Sequence, residues 1–284
     1  MICIKPFFKG DVAFGCGQCL PCRIKERRIK THRIILEAFK HEKSCFITLT
    51  YSDEFIPPGA SLDPEHFRNF LKRLRDRIKP YRFRYFGVGE YGDETGRPHY
   101  HAALFGLGVD DTELISSCWA MGNVYNGTLT VESAQYIAGY VTKKMTKSDD
   151  PRLGGRYPEF SRMSLKPGIG AGAIEELTAF FKSDQGKRLL DETGDVPLAL
   201  MHGGRSLPLG RYLRRKLREA LSLPEVTASE NPNLQRSIQE MSTLFEASGA
   251  RTKWQKLATY QKSVRPKVRS IVGRHAIHKK DKKL

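Results

Sequence analysis

Two histidines separated by a single residue, His99 and His101, are the side chains of this sequence best arranged to bind a metal. They lie in the stretch 96–105, GRPHYHAALF, which predicts a strand. Because side chains alternate between the two faces of a strand, both imidazoles point to one face and Tyr100 to the other. Two adjacent imidazoles are a ready pair of metal ligands. A half-exposed pair of strand histidines would show the same spacing, so neighbouring groups must decide.

A carboxylate is expected beside this histidine pair. Residues 81–91 predict the preceding strand, and 92–96, GDETG, predict the turn that returns the histidine strand antiparallel to it. With ordinary hairpin register, Glu90 lies opposite His99. Two imidazoles and one carboxylate leave open positions for water and phosphate oxygens, which suits Mg²⁺ or Mn²⁺ better than a closed zinc cage.

Two tyrosines one helical turn apart provide a second set of reactive groups. Residues 130–145 predict a helix with Tyr136, Tyr140 and Lys143 on one side. The opposite side is apolar and carries Val131, Ala134, Ala138, Val141 and Met145. Tyrosines at this spacing are usually core or rim residues, but here the helix already has an apolar face. A phenol, with a pKa of about 10, is a weak nucleophile at neutral pH unless a cation assists it.

A cluster of cysteines at Cys16, Cys19 and Cys22 forms a third group. Close thiol spacing in a reducing compartment favours a metal site over disulfides. Structural zinc needs four ligands, and the distant candidates for the fourth are Cys3, His32 and Cys45. Buried, reduced cysteines without metal are the alternative interpretation.

The charge of the chain indicates a polyanionic partner. The 284 residues carry a formal net charge of +17, and residues 166–284 hold 23 Lys and Arg against 12 Asp and Glu. Nucleic acid is the commonest such partner, although ribosome-binding or membrane-surface proteins share this excess. No stretch approaches the roughly 20 apolar residues of a membrane span. The first residues lack the apolar region of a signal peptide, so we expect a cytoplasmic protein.

The remaining pattern predicts two regions. Helices are predicted at 23–43, 64–79 and 110–120, and strands at 44–51 and 121–129. Residues 151–172, rich in Gly, Pro and Arg, are interpreted as a linker or extended arm. The first region is therefore residues 1–165. The second, residues 166–284, is predicted to be basic and mostly helical, with a flexible tail from about residue 265.

The order of these features resembles the HUH endonucleases that initiate rolling-circle replication. The resemblance is closest to the replication initiators of small single-stranded DNA phages, the gokushovirus group of Microviridae. It covers about residues 1–170, and the stretches that carry it are 16–23, 46–51, 96–106, 136–144 and 162–170.

The resemblance implies an α+β fold with a central antiparallel sheet, similar to the RNA-recognition fold, and flanking helices. It also implies that His99, His101 and Glu90 hold a divalent cation, Mg²⁺ or Mn²⁺. Either tyrosine then attacks a phosphate to give a 5′-phosphotyrosine. The remaining site residues expected from this interpretation are Lys143 and Lys144 beside the phosphate, and Thr48, Thr50, Arg211, Arg214 and Arg215 on the DNA.

The implied partner is single-stranded or origin DNA in the cytoplasm of a bacterial host. The sequence contains no Gly-x4-Gly-Lys-[Ser/Thr] phosphate loop, so unwinding would need a host helicase, and synthesis a host polymerase. A non-catalytic single-stranded DNA-binding or packaging protein is the alternative. It accounts for the charge but not for histidines, carboxylate and tyrosines in one domain. The sequence leaves the oligomeric state open.

Overall fold

A five-stranded antiparallel sheet organises the structure, a computed structural model that describes residues 2–10, 12–92, 94–140, 148–202, 204–224 and 232–280. The strands of the described residues are β1 (Phe7–Lys9), β2 (Val12–Phe14), β3 (Ser44–Thr50), β4 (Arg84–Tyr91), β5 (Pro98–Phe105), β6 (Val124–Thr128), β7 (Phe160–Met163), β8 (Ala199–His202) and β9 (Arg205–Pro208). The helices are α1 (Leu20–Ala38), α2 (Pro64–Arg77), α3 (Thr112–Trp119), α4 (Val131–Gly139), α5 (Ile174–Lys182), α6 (Asp184–Thr193), α7 (Gly210–Ala220), α8 (Pro232–Ala247) and α9 (Lys253–Lys280).

The sheet is covered by helices on both faces. Its strand order is β6-β3-β5-β4-β7, and every neighbouring pair is antiparallel. Helices α2 and α3 bury one face, and α1 and α4 cover the other. The predicted α+β class with a central antiparallel sheet and flanking helices is therefore confirmed.

Tyr100 anchors the histidine strand from the face opposite to the histidines. Its side chain is fully buried, and its ring stacks on that of Phe67 with 5.4 Å between centroids. Its hydroxyl donates a hydrogen bond to the carbonyl oxygen of Asp63 at 2.7 Å. Asp63 in turn caps α2, where its side chain accepts from the Glu65 amide, followed by proline at the first helical position. The alternation of β5 thus fixes which face the histidines occupy.

Two glycines of β4 make room for core aromatic rings. A Cβ added at Gly87 would lie 2.4 Å from the ring of Phe67, and one at Gly89 would lie 2.7 Å from the ring of Phe160. Both contacts are far inside van der Waals distance, so a larger residue would push these rings away from the sheet. The small residues therefore let α2 and β7 approach β4 closely.

The interpretation of residues 151–172 as a linker is wrong. Phe160–Met163 forms an edge strand that pairs with β4, and Leu153 and Ile169 are buried. The Gly and Pro residues of this stretch form turns around a strand of only four residues. So short a strand leaves little hydrophobic periodicity for sequence-based detection.

The C-terminal region packs against α1 and the N-terminal hairpin. Leu209 and Leu213 bury against Leu36 of α1. The ring of Phe8 lies 6.0 Å from Phe245 and 5.9 Å from Tyr260, which joins β1 to α8 and α9. The structure differs from the flexible tail expected from about residue 265, because α9 continues to Lys280. Among the described residues, no helix has the length and apolar character to cross a membrane.

Candidate active site

Glu90, His99 and His101 converge on the face of the sheet covered by α1 and α4. The β4–β5 register pairs Glu90 with His99, as the hairpin pattern predicted. The Nε2 atoms of His99 and His101 lie 2.8 Å and 3.0 Å from the same carboxylate oxygen, Glu90 Oε1. Glu90 is 2% exposed and His101 3% exposed. One ligand atom from each residue falls within 4.8 Å of the other two, so this group could hold a metal ion.

The second nitrogen of each imidazole is held by a neighbour. His99 Nδ1 lies 3.1 Å from the carbonyl oxygen of Arg97, and His101 Nδ1 lies 2.8 Å from the hydroxyl of Thr48. A carbonyl only accepts, so the His99 Nδ1 carries the proton, and the neutral ring turns the lone pair of Nε2 toward Glu90. Two electron pairs that face each other require a proton or a cation between them. The donor set therefore fits a divalent cation, with its imidazoles oriented from behind.

The two threonines predicted to contact DNA have partners within the fold. Thr48 holds His101, as described above. The hydroxyl of Thr50 donates to the carbonyl oxygen of Asn123 at 3.3 Å. The alternation of β3 puts both on the face of the histidines, and Thr48 pairs with His101 and Thr50 with His99 across the strands.

Tyr136 and Tyr140 lie directly over the histidine pair. The Tyr140 ring stacks on that of His101 with 5.2 Å between centroids and 3° between planes. The Tyr136 ring meets His101 edge-on at 5.1 Å and Tyr140 edge-on at 5.1 Å. The structure thus brings both candidate nucleophiles to the candidate metal ligands across some 35 to 40 residues of sequence.

The two tyrosines occupy different environments. Tyr136 is 38% exposed, whereas Tyr140 is half-buried. Burial, together with the nearby carboxylate of Glu90 and hydrogen bonding with Tyr136, raises the pKa of Tyr140 well above its ordinary range. Tyr136 is therefore the phenol more accessible to an incoming strand.

Helix α4 is buried on more than its apolar side. Ala134, Ile137 and Ala138 are buried in the cluster shared with α1, and Arg27 of α1 donates to the carbonyl oxygen of Gln135 at 3.1 Å. The tyrosine side of the same helix faces the histidines of the sheet. Residues 141–147, which include Val141, Lys143, Lys144 and Met145, lie outside the described residues.

Four cysteines come together at the start of α1. Cys3 joins Cys16, Cys19 and Cys22, with all four sulfur atoms within 4.8 Å of one another. Cys3 is therefore the fourth member. The other two candidates lie elsewhere: the buried His32 faces His202 with 2.8 Å between Nε2 atoms, and Cys45 is buried in the core beneath β3.

Backbone amides point at these sulfur atoms. The amide of Cys16 donates to Cys3 Sγ at 3.3 Å, and that of Cys19 donates to Cys16 Sγ at 3.3 Å. Burial alone would raise the pKa of Cys16, but backbone hydrogen bonds from Cys19 and Gln18 lower it to about 7. Thiolate character of this kind is what metal ligation requires.

The arginines of α7 divide between the interior and the surface. Arg214 binds the buried carboxylate of Asp195, with 2.6 Å between Nη2 and Oδ2, and Arg218 pairs with the same carboxylate. Arg215 lies 3.4 Å from Glu219, and Arg211 is exposed. The structure thus directs Arg214, predicted to contact DNA, toward the protein interior.

Two aromatic residues beside the site were missed by the sequence analysis. The ring of Phe46 lies 5.8 Å from His101 and 6.0 Å from Tyr136. Tyr125 on β6 lies 6.1 Å from Phe46 and is 62% exposed. The alternation of β3 and β6 places both on the histidine face, and this was the available signal.

Comparison with known proteins supports this site. Residues 44–149, which run from β3 through α4, match the family described as replication-associated protein ORF2/gene II protein. This central part of the chain is a member of that family. The match contains the histidines, Glu90 and both tyrosines, whereas the four-cysteine cluster lies outside it. No solved structure matches the chain.

Three relatives extend the similarity to both sides of the family match. The chain is 33% identical over 188 residues to the replication-associated protein VP4 of Bdellovibrio phage phiMH2K, covering 58% of each chain. It is 36% identical over 178 residues to that of Spiroplasma virus 4, ORF2, covering 55% of each. It is 29% identical over 157 residues to ORF4 of Chlamydia phage 1, covering 48% of this chain and 38% of the relative. These matches confirm the resemblance to phage replication proteins, and the two longer ones span little more than half of the relatives' length.

Proposed function

We propose that this chain initiates rolling-circle replication of a small phage genome by nicking one DNA strand and later rejoining it. One observation carries the proposal: two tyrosine rings lie about 5 Å from an imidazole that belongs to a candidate cation site. The similarity to replication-associated proteins of phages supports a role at the replication origin. DNA, which also suits the basic charge of the chain, is then the substrate.

Glu90, His99 and His101 would hold a divalent cation, Mg²⁺ or Mn²⁺. When bound, such a cation polarises the scissile phosphate and offsets the charge that develops on its oxygens. Thr48 and the carbonyl of Arg97 keep the two imidazoles turned toward that position. The aromatic rings of Phe46, Tyr136 and Tyr140 surround His101 and limit the access of water to it.

In the first step, the phenolic oxygen of Tyr136 attacks the phosphorus. A new oxygen–phosphorus bond forms, and the bond between phosphorus and the 3′-oxygen breaks. The phenol loses a proton and the leaving 3′-oxygen gains one, so the products are a 5′-phosphotyrosine and a free 3′-hydroxyl. The greater exposure of Tyr136 supports its assignment to this step.

A second phenol permits the strand to be cut again and rejoined. Tyr140 would cleave the regenerated origin while Tyr136 still holds the first 5′ end. The new 3′-hydroxyl then attacks the phosphotyrosine, which closes the circle and returns the phenol with its proton. Lys143 and Lys144 are proposed to offset phosphate charge. A host helicase and polymerase would supply unwinding and synthesis in the host cytoplasm.

A second cation, Zn²⁺, is proposed for the cluster of Cys3, Cys16, Cys19 and Cys22. Four thiolates are the usual ligands of a closed structural zinc site. The cluster joins the N-terminal hairpin to the first turn of α1, and the hairpin in turn contacts α8 and α9. Its proposed role is therefore structural.

The proposal is tested by trapping the covalent intermediate. The chain is incubated with Mn²⁺ or Mg²⁺ and single-stranded oligonucleotides that tile the genome encoding it. We expect one oligonucleotide to form a protein–DNA adduct that survives a denaturing gel, with the adduct lost in the double variant Tyr136→Phe/Tyr140→Phe. Tyr81→Phe, at a 79% exposed tyrosine, is the matched control and retains the adduct.

The same experiment separates the proposal from a non-catalytic DNA-binding or packaging protein. Such a protein binds the oligonucleotides without a covalent product in any metal. Undiminished cleavage by the double Phe variant would instead exclude tyrosine as the nucleophile.

A further inference from the structure

A cavity of about 260 Å³ opens beside Tyr140, at the opposite edge of the sheet from β6. It lies between the loop of the cysteine cluster, the first turns of α1, and strands β4 and β7. The polar and small residues that matter for its chemistry are Gly17, Gln18, Arg23, Glu26 and Glu159. The proposed nicking reaction assigns no role to this cavity.

The walls of the cavity offer both donors and acceptors of hydrogen bonds. Arg23 and Gln18 supply the donors, and Arg23 Nη2 donates to Gln18 Oε1 at 3.1 Å. Glu26 and Glu159 supply carboxylate acceptors, and Glu159 is only 5% exposed. Two carboxylates would repel a backbone phosphate. A mixed set instead matches the edge of a nucleobase, which carries donors and acceptors side by side.

The cysteine cluster builds one wall of this cavity. Gly17 and Gln18 stand between two of the clustered cysteines, Cys16 and Cys19. The backbone amide of Arg23 donates to the carbonyl oxygen of Cys19 at 3.0 Å, which ties the Arg23 backbone to the same cluster. A metal held by the cysteines would therefore set the position of both donor residues.

The location fits a nucleotide next to the scissile phosphate. Tyr140, one of the two proposed nucleophiles, forms part of the cavity wall. The volume lies near the lower end of the roughly 300–1,000 Å³ typical of ligand pockets, which suits one base rather than a longer segment. Enzymes that act on unpaired DNA commonly read a base in such a pocket through its hydrogen-bonding edge.

We propose that this cavity binds one unpaired base adjacent to the nick and determines the sequence preference of the enzyme at that position. The inference rests on the proposed function, because it assigns the occupant as part of the DNA strand to be cut. It gives the cysteine cluster a role in recognition as well as in structure.

The experiment measures binding without chemistry. The Tyr136→Phe/Tyr140→Phe protein with Mn²⁺ is titrated into fluorescent oligonucleotides that carry one abasic site, moved position by position along the tightest-binding sequence. We expect a loss of about tenfold in affinity at one position and smaller losses elsewhere. Adding Gln18→Ala and Arg23→Ala should remove the dependence on that position. Lys25→Ala, at an exposed lysine on the same helix, is the matched control and should retain it.

Failure of this inference is distinguishable from failure of the proposed function. A flat abasic profile, or a profile that Gln18→Ala/Arg23→Ala leaves unchanged, would overturn the base pocket even if the wild-type chain forms the covalent adduct. A position-specific profile without any adduct would retain the pocket and overturn the nicking chemistry. Arg23→Lys should recover part of the preference, and thermal melting should show that each variant is folded.

Discussion

The two candidate metal centres of this chain are built in opposite ways. Glu90, His99 and His101 stand on two adjacent strands, nine to eleven residues apart, and combine nitrogen with oxygen ligands. The cysteine cluster uses sulfur alone and joins Cys3 to a loop and the start of α1. The first set leaves positions for substrate, as catalytic sites do, and the second is complete with four ligands, as structural sites are. Ligand type and closure thus distinguish reaction from support within one chain.

The largest expected effect falls on chemistry at the open centre. His99→Ala/His101→Ala should lose Mn²⁺ binding and reduce adduct formation by about 10³-fold, because developing charge on the phosphate is no longer offset. Isothermal titration and gel-based adduct rates measure the two quantities. Zinc content, by elemental analysis, should stay at the wild-type value. An unchanged Mn²⁺ affinity would refute the site.

Zinc binding at the closed centre should depend steeply on pH. Burial raises the pKa of Cys3, and burial and neighbouring thiols raise the pKa of Cys22 to about 12, so both thiols are protonated at neutral pH. Each must release its proton to bind zinc, so affinity should fall about 100-fold between pH 7 and pH 6. Competition with a chromogenic chelator at both pH values measures this. A fall of less than tenfold would show that fewer than two protons are released.

Removing a single supporting hydroxyl should weaken the open centre moderately. Thr48→Val keeps the shape of the side chain but leaves His101 Nδ1 without its 2.8 Å partner. We expect Mn²⁺ affinity to fall about tenfold, as is typical for groups that orient metal ligands. Thr50→Val, whose hydroxyl contacts the carbonyl of Asn123 instead, is the matched control. Equal losses in both variants would argue against orientation of His101.

The smallest expected effect tests the independence of the two centres. Cys19→Ser should abolish zinc binding but change Mn²⁺ affinity by less than about twofold, because none of the three ligands at the open centre comes from the N-terminal hairpin or α1. Titration of the variant with Mn²⁺ measures this. A collapse of Mn²⁺ affinity would show that the cysteine cluster supports the fold of the catalytic sheet as a whole.

The sequence predicted the open centre better than the closed one because strand geometry is local. Alternation placed His99 and His101 on one face, and the short turn after Tyr91 fixed Glu90 opposite His99. The choice of Cys3 over His32 and Cys45 depended on how the N-terminal hairpin folds back on α1. No periodicity in the sequence carries that information.

Helix α4 shows a second limit of periodicity. The pattern correctly separated an apolar side from the side that carries Tyr136 and Tyr140. It did not show that the second side also faces protein, because contact with the histidine face is decided by how the helix packs on the sheet. The role of Thr48 depended on the same tertiary arrangement.

The buried carboxylate of Asp195 has a consequence for how this basic chain responds to ionic strength. Asp195 is 3% exposed and binds both Arg214 and Arg218, so these cations already have a permanent counter-charge. Only cations that meet phosphates release condensed counterions and steepen the fall of DNA affinity with added salt. The slope of log affinity against log salt should therefore be shallower than the number of arginines on α7 suggests. Arg211, exposed on the same helix, is the residue whose removal should reduce that slope.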